Sequence, residues 1–115
     1  MSAYGPALFV TRKDGAAMPE DEQRAVLALA RAAAERLRLR DEEREPAVPD
    51  VYDYDGYEPR ALGILLYSGY AYGEMPEEIQ RDQEETWSGE CARVGAEIER
   101  QSPGRYTFTG YGVED

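Results

Sequence analysis

The sequence predicts an α+β domain, a two-layer sandwich in which an antiparallel sheet carries two helices on one of its faces. Three observations predict it. Two long segments rich in strong helix formers alternate with short β-prone runs, those runs switch between apolar and polar side chains with a period of two, and turn residues stand between the segments. A chain of 115 residues suffices for one domain around one core and is too short for two.

The first run, ALFVT at residues 7–11, is apolar and rich in β-formers, and Asp14-Gly15 ends it with turn chemistry. After Pro19, the acids Glu20, Asp21 and Glu22 suit the positive end of a helix dipole, and AVLALARAAAERLRLR follows with the best helix formers. A helix is therefore expected over residues 20–40, burying Val26, Leu29, Ala33 and Leu37 and fading in DEERE before Pro46 and Pro49. Its charges mix in sign and need no special reading. Residues 51–54 and 61–67 are β-prone segments flanking Asp55-Gly56, with Pro59 just beyond, and are expected to form a hairpin that continues through Ser68-Gly69 towards Tyr70 and Tyr72.

Pro76 stands at a first helical position, followed by Glu77 and Glu78, and this second helix should last until Ser102-Pro103-Gly104. Ile79, Trp87, Cys91, Val94 and Ile98 mark its buried side, while Gly89 and Gly95 weaken it by about 1 kcal/mol each relative to alanine. RYTFTGY at residues 105–111 alternates cleanly and makes the last strand.

Strand, helix, strand, strand, helix, strand is the order of the split βαβ, ferredoxin-like plan, an architecture that carries no activity with it. That plan makes the first and third strands central. Alternation then divides the sheet. Leu8, Val10, Leu62, Ile64, Leu66, Tyr106 and Phe108 form a set suited to cover by helices, and Phe9, Leu65, Tyr67, Thr107, Thr109 and Tyr111 form the other set. Two helices leave this second face open, and an open aromatic face is where a partner or the second subunit of a homodimer would sit. A slip of one residue in register would exchange the faces.

Leu, Ile, Val and Phe number nineteen and the net charge is -11, a balance that implies a thin core. Nine tyrosines and one tryptophan supply burial that the aliphatic residues do not. An acidic surface repels phosphate backbones and lipid headgroups, so nucleic acid and membrane are not expected partners. No apolar run reaches the length of a membrane helix, and the start MSAYGPALFV does not read as a signal peptide, which points to the cytoplasm. A lone cysteine, Cys91, makes no internal disulfide and fits a reducing compartment.

The chain has no histidine, which removes Ser-His and Cys-His nucleophilic systems and zinc held by Cys and His. Cys91 follows Glu90 on the apolar side of a helix, where burial and a nearby carboxylate would raise its pKa, so it is expected to be a small core residue. Neither a phosphate-binding G-x-x-x-x-G-K-[ST] loop nor a dinucleotide G-x-G-x-x-G is present. No catalytic residue, metal or cofactor is assigned. Acid–base work by carboxylates and tyrosines needs no such motif, and it underlies the alternative reading of a small ferredoxin-like enzyme or small-molecule-binding protein with a tyrosine and carboxylate pocket.

The most unusual stretch is DVYDYDGYE at residues 50–58, with four carboxylates and three tyrosines. Placing Asp55 and Gly56 at the fifth and sixth positions of an EF-hand loop puts Val51 first and Leu62 twelfth, where oxygen ligands are required, so the calcium spacing fails at both ends. It is expected to be a hairpin tip. Six tyrosines fall in and beyond this hairpin, Tyr52, Tyr54, Tyr57, Tyr67, Tyr70 and Tyr72, beside Asp50, Asp53, Asp55, Glu58 and Glu74. Tyrosine anchors rimmed by carboxylates are the chemistry of protein-binding surfaces, and these eleven residues are the expected contacts with a partner. Between Glu74 and Arg100 nine acids face three arginines. The sequence thus favours a non-catalytic acidic interaction module, an inhibitor or immunity-type protein covering a basic protein surface.

Overall fold

Strand β1 (Tyr4–Arg12) lies at the centre of a four-stranded antiparallel sheet. The computed structural model describes residues 4–41, 43–52, 60–68 and 77–114. Helix α1 (Glu20–Arg36) follows, then strands β2 (Asp50–Val51) and β3 (Leu62–Leu65), helix α2 (Glu77–Gln101) and strand β4 (Tyr106–Glu114). The strands are ordered β2-β3-β1-β4. The α+β composition, the antiparallel sheet and the two helices agree with the sequence reading. Among the described residues no helix is long and apolar enough to cross a membrane.

The core forms where the even-numbered side chains of β1 and β3 meet both helices. Leu8, Val10, Leu62 and Ile64 from the sheet join Val26, Leu27, Ala30, Ala33 and Ala34 of α1 and Trp87, Cys91, Val94 and Ile98 of α2 in one apolar cluster. The helical contribution of α1 differs from expectation. Leu29 and Leu37 pack only at the margin, because three alanines let the helix lie close to its neighbours along a strip turned from the expected one. Close approach also explains two glycines. A Cβ on Gly95 of α2 would stand 3.2 Å from the Phe108 ring, and one on Gly110 of β4 would stand 2.2 Å from the Cβ of Cys91.

Helix α1 stops four residues earlier than residue 40, and the cause is local. The amide of Leu39 donates to the carbonyl of Ala34 (2.9 Å) and that of Arg38 to Glu35 (3.1 Å), the paired bonds of a Schellman cap. Arg38 occupies the left-handed position of that cap, with φ of 56°, and so swings Leu39 into the core cluster. Glycine is the usual residue there, and a side chain in this conformation costs on the order of 1 kcal/mol.

The expected hairpin is described in part: β3 is shorter than residues 61–67, and of residues 51–54 only 51 and 52 are described. Its tip lies outside the described residues. Strand β2 keeps two residues, continued by the amide of Tyr52 donating to the carbonyl of Gly63 at 2.8 Å. Strand β3 ends at Leu65. Strict alternation puts Tyr67 on the second face with Leu65, but beyond the strand the alternation no longer applies, and Tyr67 is buried in the helix-side cluster. The second face is also less open than expected. Phe9 is 3% exposed, its ring meets the edge of Tyr52 at 6.2 Å, and Gly63 leaves room for both. Towards β4 this face presents Thr107 and Thr109, and the hydroxyl of Thr107 bonds that of Thr11. The described part of the face is therefore hydroxyl-rich where it is exposed, and its aromatic ring is covered. The side chains of Ile79 and Tyr111 lie outside the described set.

Candidate functional site

Of the eleven expected contact residues, three are described. Asp50 opens β2 and is exposed, with its carboxylate accepting the amide of Val51 (2.8 Å) and approaching Arg31 at 3.5 Å. Tyr52 is half-buried with its ring against Phe9. Tyr67 is buried on the opposite, helix-covered side. Asp50 and Tyr52 share one end of the sheet, and Tyr67 does not join them on a common surface. Asp53, Tyr54, Asp55, Tyr57, Glu58, Tyr70, Tyr72 and Glu74 lie outside the described residues.

Tyr67 belongs instead to a polar seam beneath α2, which sequence reasoning missed. Its hydroxyl donates to Oε1 of Glu90 at 2.9 Å. Burial raises the Glu90 carboxyl above its ordinary value, against the smaller opposing effects of the Tyr67 hydroxyl and Arg93. Burial and the Glu90 charge push the Tyr67 phenol up in turn. Cys91, next to Glu90, is pushed up to about 12 by the same two causes, and its thiol donates to the carbonyl of Ala7 at 3.4 Å. The thiol is thus a protonated core group, as its sequence neighbours suggested, and no thiolate nucleophile is available. Trp87, fully buried, closes the seam. Compared with known proteins, the chain matches no family model, no curated protein and no solved structure.

Charge is sorted over the surface. The six ion pairs among the described residues use only four acids, Asp14, Glu22, Asp50 and Glu97. Glu97 is held by Arg36 and by Arg100 (2.5 Å), and although burial would raise its carboxyl, these two guanidiniums keep it below its ordinary value. Glu22 sits between Arg105 (3.0 Å) and Arg12 (3.8 Å) at the start of α1. By contrast Asp82, Glu84 and Glu85 are exposed on one stretch of α2 and form no ion pair among the described residues. Among those residues no group of three or more Cys, Asp or Glu side chains could hold a metal ion.

A groove of about 430 Å³ lies between the second half of α1 and the chain at residues 46–49. Arg31, Arg38 and Arg40 line it, with Glu35 as the one acid. The ridge Arg38-Leu39-Arg40 also borders a shallower groove facing Glu85, Glu90 and Arg93. The sequence carried a signal, the alternation RLRLR at residues 36–40, but on a continuous helix those arginines spread around the barrel and read as an ordinary mixed-charge surface. Only the cap at Arg38 gathers them.

Proposed function

We propose that the protein is a non-catalytic acidic interaction module that covers a basic surface on a protein partner, in the manner of an inhibitor or immunity-type protein, and that it acts in the cytoplasm. The observation that carries this reading is the unpaired acidic stretch of α2. Asp82, Glu84 and Glu85 keep their charge exposed: Arg81 beside them forms no ion pair among the described residues, Arg93 borders a groove and Arg100 serves Glu97. Carboxylates that are not neutralised within their own chain raise the local concentration of a cationic partner and accelerate encounter. The same sign disfavours nucleic acid and anionic membrane. The expected hairpin residues, Asp50 and Tyr52 with Asp53, Tyr54, Asp55, Tyr57, Glu58, Tyr70, Tyr72 and Glu74, remain part of the proposed contact. Tyr67 does not, because its side chain is buried and its hydroxyl is given to Glu90.

The finer fold assignment belongs to this proposal too. The order β-α-β-β-α-β supports a ferredoxin-like plan, and a second strand of two residues is its departure from a regular one.

The test is capture of partners from native lysate at low and moderate salt with the wild type and with the triple variant Asp82→Asn, Glu84→Gln, Glu85→Gln. A basic protein retained by the wild type, released by salt and bound more slowly by the triple variant is the expected result. Equal retention by both proteins would remove the role of this stretch, and retention of no protein at low salt would remove the reading.

A further inference from the structure

We propose that the groove beside the α1 cap is a binding site for a small organic oxyanion with an apolar body, gripped by Arg38 and Arg40. The site is chemically the reverse of its surroundings. In a chain of net charge -11, three arginines line one groove with a single acid, Glu35. Its walls between those cations are apolar, formed by Ala34, Leu39, Pro46 and Val48, and Val48 is 68% exposed at the rim. About 430 Å³ falls within the range of small-molecule sites, which combine an apolar lining with a few charged groups that orient the ligand.

Two further observations select the cations. Among the described residues Arg38 and Arg40 form no ion pair, whereas Arg31 donates through Nε to the carbonyl of Pro49 at 2.8 Å and approaches Asp50. Arg31 therefore positions the wall, and the other two keep their donors for a ligand. Arg38 also holds a left-handed backbone conformation in which glycine would be unstrained. Such strain at an arginine that forms no ion pair among the described residues suits a binding role. The guanidinium fork suits carboxylate and phosphate alike, so the shared chemistry is the oxyanion and the head group is decided by experiment. This site shares only the ridge Arg38-Leu39-Arg40 with the groove that Glu85 of the acidic stretch borders.

The experiment is isothermal titration of the full chain with four probes: hexanoate, hexyl phosphate, hexanol and inorganic phosphate. Either hexyl anion should bind at millimolar concentration or tighter, and at least about tenfold more tightly than hexanol or inorganic phosphate; the tighter of the two names the head group. Arg38→Gly should weaken that binding at least about tenfold and raise the Tm, since glycine relieves the cap. Arg40→Gln should weaken binding and leave the Tm unchanged. The proposal is overturned if neither anion binds, if hexanol binds as well as the anions, or if binding survives Arg38→Gly. It is equally overturned if the groove instead holds an acidic segment of a second copy, seen as a dimer in sedimentation that Arg38→Gly dissolves.

Discussion

Replacing Gly110 by alanine tests how closely β4 is drawn to α2. The new methyl carbon would stand 2.2 Å from Cβ of Cys91 and 3.0 Å from its sulfur, whereas carbon atoms rest about 3.5–4.0 Å apart. Strand and helix must separate by more than 1 Å, on the order of a bond length. Neither is free to do so. Gly110 is paired with Leu8 in the ladder, and the helix is fixed by Trp87, Val94 and Ile98, all fully buried. Overpacking of this kind costs about 1–3 kcal/mol, which for a chain of this size lowers Tm by about 4–12 °C. Urea and thermal unfolding followed by the fluorescence of Trp87, the only tryptophan, reads the loss. A double-mutant cycle identifies its source. Cys91→Gly removes the colliding Cβ and should recover much of the loss, while Cys91→Ala removes only the sulfur and should recover little. A stability change within about 0.5 kcal/mol for Gly110→Ala, or equal recovery by both partners, would refute the reasoning.

Gly89→Ala should stabilise the protein by about 0.5–1 kcal/mol in urea unfolding, because an added Cβ at that exposed helical position meets nothing within 4 Å. Glu90→Gln should change the pH profile in one direction. The folded carboxyl is raised, so the wild type has its full stability below the unfolded value and loses it as pH rises through the folded one, and the Gln variant, which still accepts from Tyr67, should gain on the wild type in Tm as pH rises above the ordinary carboxylate range. Glu97→Gln should do the reverse, because a lowered carboxyl contributes stability above the unfolded value that is lost as pH falls through the folded one; the variant should be less stable at neutral pH and should converge on the wild type in acid.

Those opposite titrations on one helix show what the sequence could and could not reveal. The spacing of Trp87, Cys91, Val94 and Ile98 was legible because helical periodicity alone sets which side is apolar. The fate of Glu90 and Glu97 was not, since it depends on what stands across from each, a phenol 23 residues upstream and an arginine on α1. Similarly, Leu8, Val10, Leu62 and Ile64 fell on the expected face because they lie inside regular strands. Tyr67 did not, because the strand ends two residues before it. Arg38 was concealed by propensity. Nothing in AAAERLRLR breaks a helix, and the turn at that point is imposed by the demand of Leu39 for the core, a tertiary effect that no local preference encodes.

The pairing of β1 with β4 runs over nine residues, from Tyr4 opposite Glu114 to Arg12 opposite Tyr106, against four for β1 with β3 and two for β2 with β3. The most extensive ladder among the described residues therefore joins segments about a hundred residues apart, and closing so long a loop is an entropic expense met before any of its contacts form. Helices and the short inner pairings can assemble early, but the central strand acquires its main neighbour last, so folding is governed by a non-local step and should be slow for a chain of this length. During synthesis β1 must wait, one edge bare, until the final strand has left the ribosome. A net negative charge then serves the unfinished chain as well as the finished one, since mutual repulsion keeps such exposed edges on different molecules from finding each other first.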